Sequence, residues 1–499
     1  MARTTTEPRG PLHALVGRLT MSYQRRAMTA LLLVFVLDYG DRTLIGALGP
    51  TLKHVFHIGN GELRLLASAF GFIGAPATIL LGMLADRVNR TLLLAISLAL
   101  WALAMGATGA AISFAMLFGA RLFLGVVAAT TGPTTPSLTG DLVPSGKRGA
   151  AFGFINSGQL VGDGVGFVLP VVVLGFLSWR WCFWILGIAG VALAVAFWRL
   201  REPERTGAAG PAPQGSDKGK DRDSAATGSD GGQPHSRAQE IVREKEIQPS
   251  QRALLRQDPA TLSLWAAVRY VVRVRTDLIV LVARSIGDYF FAGVSTFAIV
   301  FATHQYGLSQ SAADLAILVL GIGALSGVLL VGWIADAQLR RGRLNSRLWL
   351  GALGYILAPW PLFFAFLTHS LIVALPLFIV GAFFLAGAGP PLDAVRIDVI
   401  VPRLRGRAEA IRQVLRTIVE GGVPLLIGAL SGILAGGGPA GLQLTLIVTL
   451  PVLLVNGLVL LIALRTYQPD VAAALASGEK QARQRRQEAP TQGGSGADA

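Results

Sequence analysis

Long uninterrupted apolar stretches are the feature of this 499-residue sequence that most restricts what it can fold into. A helix needs about 20 apolar residues to cross the hydrocarbon layer of a membrane. Only 15% of the residues are charged, where a soluble protein has roughly 25%. The pattern therefore predicts an all-α integral membrane protein and argues against a soluble enzyme. Twelve spans are predicted, at residues 27–48, 63–84, 91–112, 114–137, 150–176, 179–200, 277–304, 312–337, 347–367, 370–394, 407–434 and 440–466.

Basic residues are concentrated in alternate loops between the predicted spans. The loops on one side carry Arg25, Arg26, Arg87, Arg90, Lys147, Arg148, Arg340, Arg341, Arg343, Arg403, Arg405 and Arg407, whereas those on the other side carry little beyond Lys53, Arg64 and Arg180. Because lysine and arginine collect on the cytoplasmic side, both termini are predicted to be cytoplasmic, in a multi-pass protein of the plasma membrane. The formal net charge of +15 follows from the same loops and does not call for a nucleic-acid partner.

The composition changes sharply between the sixth and seventh spans. The segment from 203 to 262 is rich in Gly, Ser, Pro, Asp, Lys and Gln, which predicts a disordered cytoplasmic linker. The chain then divides into a cytoplasmic N-terminal segment (1–26), a six-helix bundle (27–202), this linker (203–262), a second six-helix bundle (263–467) and a cytoplasmic tail (468–499). Residues 264–275 (LWAAVRYVVRVR) are amphipathic and fit either a helix on the membrane surface or an extension of span seven.

Two loop motifs occur once in each half of the chain. After span two the sequence reads Gly82-Met-Leu-Ala-Asp86, and after span eight it reads Gly332-Trp-Ile-Ala-Asp336. After spans four and ten, a Gly-Pro pair is followed by an aspartate, a proline and an Arg-Gly pair, at Gly132, Asp141, Pro144 and Arg148 and at Gly389, Asp398, Pro402 and Arg405. A duplicated six-span unit with the same topology is typical of transporters whose two bundles rock about a central site.

The motif at 82–90 and its echo at 332–340 resemble the signature of the major facilitator superfamily, over nearly the whole chain outside the linker and tails. Within that superfamily the sequence is similar to the Spinster-like branch at Tyr39 to Arg42, Ala75-Pro76, Arg121 with Gly125, Trp179 to Trp181 and Leu264-Trp265. The resemblance implies twelve transmembrane helices in two pseudo-symmetric six-helix bundles, and amphiphilic lipid-like substrates. Ala128 stands where that branch has an acidic residue in span four, so a proton relay through this position is absent or rerouted.

Charged residues inside membrane spans are costly, and each is therefore a functional candidate. In span one, Asp38, Asp41 and Arg42 share one helical face. Helical rise places Asp41 roughly 21 Å from the cytoplasmic end and Arg121 roughly 10 Å from the outer end, at a similar level. In the resembled fold, spans one and four line the central cavity. Asp41 and Arg121 are therefore predicted to pair and to couple a proton to rocking, with a static salt bridge as the alternative.

Further candidates lie in the second half and in span five. Arg284 and Asp288 are four residues apart in span seven, which predicts either contact with an anionic or zwitterionic group or an intrahelical pair. Glu420, deep in span eleven, is a second protonation candidate, and Asp163 in span five is another possible cavity residue. Glycines in span five (158, 162, 164, 166) and span eight (321, 323, 327, 332) predict close packing, and these two spans meet in the resembled fold.

The repeated loop motifs predict a gate. Asp86, Arg87, Arg90 and Arg148 can form charge pairs on the cytoplasmic side, and Asp336, Arg340 and Arg405 are their second-half equivalents. In the resembled superfamily such motifs stabilise the outward-facing state. The alternative, a topology signal with solvated charges, accounts for the arginines but not for the repeated aspartates.

These features predict a secondary active transporter, not an enzyme, that works by alternating access and is proton-linked. The predicted substrate is an amphiphilic lipid-like molecule or a small organic anion; a multidrug or metabolite efflux antiporter and an organic-anion:proton symporter are alternatives. A non-transporting receptor is disfavoured by the intramembrane charges. No nucleotide-binding loop appears and the six histidines are scattered, so no ATP, metal or cofactor is expected. The expected partners are the small-molecule or lipid substrate and membrane lipids, with a monomeric protein.

Overall fold

The computed structural model describes residues 11–203, 237–255, 262–435 and 438–488. Within these residues the chain is α-helical, with two short 3₁₀ helices and no strand. The helices of the first half are α1 (Pro11–Ala47), α2 (Gly49–Phe56), α3 (Asn60–Arg87), α4 (Arg90–Gly109), α5 (Phe114–Ala128), α6 (Thr131–Leu142), α7 (Arg148–Val173) and α8 (Arg180–Trp198). Those that follow are α9 (Arg237–Glu244), α10 (Leu264–Arg273), α11 (Arg275–Tyr306), α12 (Gln310–Arg340), α13 (Ser346–Leu357), α14 (Pro359–Leu367), α15 (Leu371–Gly387), α16 (Gly389–Val399), α17 (Arg405–Ala435) and α18 (Gly438–Glu488).

Twelve long helical segments, six in each half, form the body of the molecule. Three of them are each built from two successive helices: α5 with α6, α13 with α14, and α15 with α16. In each case a proline lies in the first turn of the second helix, at Pro133, Pro359 and Pro390. Proline has no N–H to donate and clashes with the preceding turn, so a continuous helix ends there.

The segments divide into apolar and polar ones. Among the described residues, seven helical segments are long and apolar enough to cross a membrane, and an eighth joins them if the two parts of α11, bent by 49°, form one span. The remaining segments, α1, α3, α7 and α17, all contribute residues to the space between the halves. A span that faces a polar cavity on one side carries polar residues there. The predicted all-α membrane fold with two six-helix halves is confirmed.

Helices α1 and α7 pack closely along much of their length. A Cβ atom added at Gly158 would lie 2.5 Å from the carbonyl oxygen of Leu32, and one added at Gly162 would lie 2.6 Å from that of Val36. Only glycine allows two backbones to approach this far. Gly158 and Gly162 thus face span one, and Gly323 and Gly327 of span eight face α15. The close packing predicted for the glycines is present, and spans five and eight also meet, at Gly149 and Gly332.

The linker and the tail contact each other. The short helix α9 buries its apolar residues and packs against α18. The backbone N–H of Ser250 donates to the carbonyl oxygen of Pro469 at 3.0 Å, and the N–H of Leu255 donates to Ser477 Oγ at 3.0 Å. These bonds fix the linker against the helix that continues from the last span.

The prediction of a disordered linker over 203–262 is therefore wrong for residues 237–255, which form a packed segment. The segment is polar overall, so its composition does not reveal the short apolar stripe of α9. This stripe is buried against α18, which is distant in the sequence. The parts of the predicted linker at 204–236 and 256–261 lie outside the described residues.

The amphipathic segment before span seven forms a separate helix, α10. Ser263 Oγ accepts a hydrogen bond from the N–H of Ala266 and caps its start. At Val274 the backbone turns to φ −74° and ψ 96°, which is not helical, and α11 begins at the next residue. Tyr270 is buried and Trp265 is 78% exposed. The alternative of a continuous extension of span seven is therefore wrong.

Candidate transport cavity and its closed end

A cavity of about 870 Å³ lies between the two halves. Among the described residues it is lined by seven arginines and four carboxylates: Arg42, Arg121, Arg284, Arg396, Arg405, Arg412 and Arg416, with Asp38, Asp288, Asp393 and Glu409. Three further carboxylates lie behind this lining, each paired with one of its arginines: Asp41 with Arg121, Asp141 with Arg405 and Asp277 with Arg396. The positive excess therefore belongs to the lining itself. A cleft lined by an excess of one sign of charge concentrates ions of the opposite sign.

Asp41 and Arg121 form a buried pair in the wall contributed by the first half. Arg121 Nη1 donates to both carboxylate oxygens of Asp41 at 2.8 Å, and the side chains of Arg121 and Asp41 are 2% and 0% exposed. The ring of Phe183 lies beside the guanidinium, 5.1 Å from its centroid. Arg121 Nε and Nη2 are buried without a hydrogen-bond partner in the described part of the chain. The predicted pair is present, and it leaves two donors of the arginine unused.

Asp38 and Arg42 form a second pair on α1. Arg42 Nη2 donates to Asp38 Oδ2 at 2.8 Å, and the arginine also lies over the ring of Tyr39, 4.9 Å from the centroid. The hydroxyl of Tyr39 accepts a hydrogen bond from Arg416 Nη1 of α17 at 3.1 Å. This contact joins the two halves across the cavity.

The second half contributes a larger cluster of charges. Arg284 lies 3.4 Å from Asp288 and 3.5 Å from Asp393, and Asp288 also lies 3.6 Å from Arg416. Asn156 Nδ2 of α7 donates to Asp393 at 3.1 Å. The predicted pair of Arg284 and Asp288 is thus present, but it is part of a network over three helices of the second half and one of the first.

Asp163 has different surroundings from these carboxylates. Its Oδ1 accepts a hydrogen bond from Thr43 Oγ1 at 2.7 Å, and it lies half-buried on the seam between α1 and α7. No ion pair joins it to any arginine or lysine that the structure describes. The side chain of the other protonation candidate in α17, at position 420, lies outside the described residues.

One end of the cavity is closed by buried charge pairs that repeat in the two halves. In the first half, Arg90 Nη1 at the start of α4 donates to Asp141 at 2.6 Å. In the second half, Arg347 Nη1 near the start of α13 donates to Asp398. All four residues are at most 5% exposed. We call this region the closed end.

Two further pairs at the closed end cross between the halves. Arg148 Nη1 donates to Asp398 at 2.8 Å, and Arg405 Nη1 donates to Asp141 at 3.2 Å. Each aspartate therefore binds one arginine of its own half and one of the other. This reciprocal arrangement is what a pseudo-twofold axis between the halves predicts.

The motif aspartates close the same end by capping helices of the opposite half. Asp86 of α3 accepts hydrogen bonds from the backbone N–H groups of Gly406 (3.0 Å) and Arg407 (3.2 Å), in the first turn of α17. Asp336 of α12 accepts from the N–H of Gly149 (3.1 Å) and from the following N–H (2.7 Å), in the first turn of α7. The first N–H groups of a helix lack partners within the helix and favour negative charge. These bonds therefore hold the halves together.

Small residues allow this approach. A Cβ atom added at Gly82 would lie 2.6 Å from the Cβ of Ala410, and one added at Gly149 would lie 2.8 Å from the carbonyl oxygen of Gly332. The contact expected between spans five and eight is made here, at the start of α7.

Six of the seven predicted gate residues take part in the closed end, and one does not. Arg340 Nη1 donates to the carbonyl oxygen of Gly146 in the other half at 2.7 Å. Arg87 is exposed and forms no ion pair with a residue in the described ranges, so its predicted pairing is wrong. The reason is its position: Asp86 points to α17 and pairs with Arg407, whereas the next residue ends α3 on the solvent side.

Sequence reasoning missed Asp141, Asp398 and Arg347 as gate residues. The first two stand in the repeated Asp-Pro elements, so the repeat itself was the signal. Arg347 follows from the same symmetry, because it lies at the start of the third span of its half, as Arg90 does.

Two six-helix halves around a charged cavity, closed at one end by symmetric polar contacts, define the architecture of a secondary transporter. The profile of the Major Facilitator Superfamily matches residues 31–424, and the chain belongs to that family.

Known proteins with related sequence or fold are transporters. The chain is 25% identical over 327 residues to the D-galactonate transporter of Escherichia coli O6:H1, with 64% of this chain and 69% of that protein covered. Its fold matches a bacterial homologue of the human lysosomal transporter Spinster in the inward-facing, unoccupied conformation, with a TM-score of 0.52, 20% identity and coverage of 90% and 98%. It also matches the Escherichia coli fucose:proton symporter, with a TM-score of 0.61, 13% identity and coverage of 87% and 98%. At these identities the two structures support the fold alone.

Proposed function

We propose that this protein is a proton-linked secondary transporter of a small organic anion of the sugar-acid type. The observation that carries the proposal is the positive excess in the cavity, where seven arginines face four carboxylates among the described lining residues. The excess gives a neutral sugar no electrostatic attraction and repels a cation, whereas it draws a carboxylate into the cavity.

Arg121 is the residue proposed to bind the substrate carboxylate. A buried donor without a partner costs about 1–3 kcal/mol, and Arg121 has two such donors, Nε and Nη2. The planar fork of an arginine binds a carboxylate through two parallel hydrogen bonds. A substrate carboxylate would satisfy both donors while Nη1 stays on Asp41.

Arg284 and its two carboxylate partners are proposed to bind the opposite end of the substrate. Arg284 is held between Asp288 and Asp393 and stands in the wall of the second half. A polyhydroxylated acid could donate to these carboxylates while its own carboxylate binds Arg121. The name of the D-galactonate transporter, whose sequence is related, supports this substrate class.

Transport is proposed to follow alternating access. The closed end would open when the pairs of Arg148 with Asp398 and of Arg405 with Asp141 separate. The loops at this end carry the basic residues, so we propose that it faces the cytoplasm, that both termini lie there, and that the structure is outward-facing. The membrane is proposed to be the plasma membrane, and the functional unit a monomer.

Asp163 is proposed as the proton site. An arginine beside a carboxylate stabilises its ionised form and so opposes protonation. Asp38, Asp41, Asp288 and Asp393 each have an arginine within 3.5 Å. Asp163 has the neutral hydroxyl of Thr43 instead, so protonating it separates no ion pair. It lies on the α1–α7 seam, and its partner Thr43 follows Arg42, a residue that lines the cavity. The earlier candidate, Asp41, is held by Arg121 on both oxygens.

Uptake by proteoliposomes tests this function. Purified protein would be reconstituted and supplied with D-galactonate, D-galactose or a lysophospholipid, with and without an imposed pH gradient. We expect uptake of the acid, driven by the gradient, and little uptake of the neutral sugar of the same size. Preferential movement of the lysophospholipid would favour the lipid-like substrate predicted from the Spinster resemblance.

A further inference from the structure

Helix α10 has two faces with different chemistry. Ala267, Tyr270, Val271 and Val274 follow the helical period and are buried against the second half. The exposed face carries Trp265, Arg269, Val272 and Arg273, again at helical spacing. α10 contains no acidic residue. An aromatic ring, an apolar side chain and two arginines along one exposed stripe are typical of helices that lie in the interface of an anionic membrane.

The position of α10 in the chain supports the same partner. It lies immediately before α11, one of the twelve long segments, and is joined to it by a single non-helical residue, Val274. A helix attached this closely to the end of a membrane span lies near the lipid headgroups. The exposed Trp265 is of the type that collects at this depth.

α10 is also connected to the closed end. The carbonyl oxygen of Leu262, just before the helix, accepts a hydrogen bond from Arg407 Nη1 at 3.0 Å. Arg407 forms an ion pair with Asp86 of the first half, 3.3 Å away, and its backbone N–H also donates to that carboxylate. A movement of α10 therefore changes the surroundings of an arginine that holds the two halves together.

We propose that the exposed stripe of α10 binds anionic phospholipid headgroups and that this binding stabilises the closed end through Leu262, Arg407 and Asp86. Arg269 and Arg273 bind the phosphates, and Trp265 inserts beside them. Held at the membrane surface, α10 keeps the Leu262 carbonyl on Arg407, so the guanidinium stays beside Asp86. The inference rests on the proposed alternating access, but not on the identity of the substrate.

The test measures the closed end without any substrate. Spin labels on Lys147→Cys and Arg341→Cys, two exposed positions in opposite halves, report the distance across it, in a Cys182→Ser background. The protein would be placed in nanodiscs of phosphatidylcholine, with or without phosphatidylglycerol. Because each arginine near an anionic surface contributes on the order of 1 kcal/mol, of which only a part differs between two conformations, we expect the ratio of closed to open molecules to rise about threefold with phosphatidylglycerol.

The variant Arg269→Gln/Arg273→Gln should lose this response, and its distances in phosphatidylcholine alone should match those of the parent. A matched control, Arg243→Gln/Arg343→Gln, removes two charges from exposed residues elsewhere on the closed-end face and should keep the response. Native mass spectrometry should find fewer phosphatidylglycerol molecules retained by the first variant than by the control. An equal response of the two variants, or no response of the parent, would overturn the inference. Failure of D-galactonate uptake with a normal lipid response would count against the proposed substrate only.

Discussion

Arg121 binds both carboxylate oxygens of Asp41 through one nitrogen, Nη1, and its other two nitrogens are buried without a partner in the part of the chain that the structure describes. A pair built only for stability would use the two-pronged geometry that arginine offers. This one leaves two buried donors that no described residue satisfies, which supports the proposal that they bind the substrate.

Replacing Arg121 by lysine tests this geometry. Arg121→Lys keeps the charge beside Asp41 but removes the planar fork. We expect the apparent affinity for the transported acid to fall by about tenfold or more, as the loss of one charge-assisted hydrogen bond predicts. Uptake kinetics in proteoliposomes would measure it. Arg180→Lys, whose arginine donates to the carbonyl oxygen of Ala111, is the control and should leave affinity unchanged.

Replacing Asp163 by asparagine tests the proton site. Asp163→Asn keeps the hydrogen-bonding partner of Thr43 but cannot take up a proton. We expect exchange of labelled for unlabelled substrate to persist while accumulation driven by a pH gradient is lost. Gradient-driven accumulation at the parental level in this variant would remove Asp163 from the coupling step.

Asp398 is expected to be the residue on which the closed end depends most. It accepts from Arg148, Arg347 and the hydroxyl of Tyr467. In Asp398→Asn, Arg148 and Arg347 each lose one carboxylate partner, while Arg347 keeps Asp336, so the closed conformation should be destabilised by about 3–5 kcal/mol. Spin-label distances across the closed end should then lengthen. The control Glu240→Gln breaks an exposed pair with Arg237 and should change stability by less than about 0.5 kcal/mol.

Two glycines of α7 give a matched test of the contact between the halves. A Cβ atom at Gly153 would clash with the carbonyl oxygen of Val328 in α12, whereas one at Gly164 would meet nothing within 4 Å. Gly153→Ala should therefore shift the population away from the closed end, and Gly164→Ala should not. Similar distance distributions for the two variants would show that the backbones are not this close in the membrane.

The sequence predicted the fold and the principal charge pairs for physical reasons. The length of an apolar stretch identifies a membrane span. Because a charge inside the membrane is costly, such a residue needs a partner, and this identified Asp41, Arg121, Arg284 and Asp288. The duplication also predicted a two-half body. The roles of these residues in transport stay predictions.

What the sequence did not predict depends on contacts between distant segments. The binding of Asp86 to the first turn of α17, rather than to Arg87 beside it, needs the second half in place. The packing of α9 on α18 and the reciprocal pairing of Asp141 and Asp398 are of the same kind. Local composition indicates the propensity of a segment, whereas these contacts form only when segments far apart in the chain come together.

The proposed substrate class is tested most directly by calorimetry, which measures binding of a panel of compounds to the purified protein. The panel contains D-galactonate, other sugar acids, neutral D-galactose and a lysophospholipid. We expect that an acid binds, that the neutral sugar does not, and that Arg121→Lys weakens the binding of the acid by about tenfold or more. Binding of D-galactose or the lysophospholipid in preference to every acid, unaffected by Arg121→Lys, would contradict this proposal.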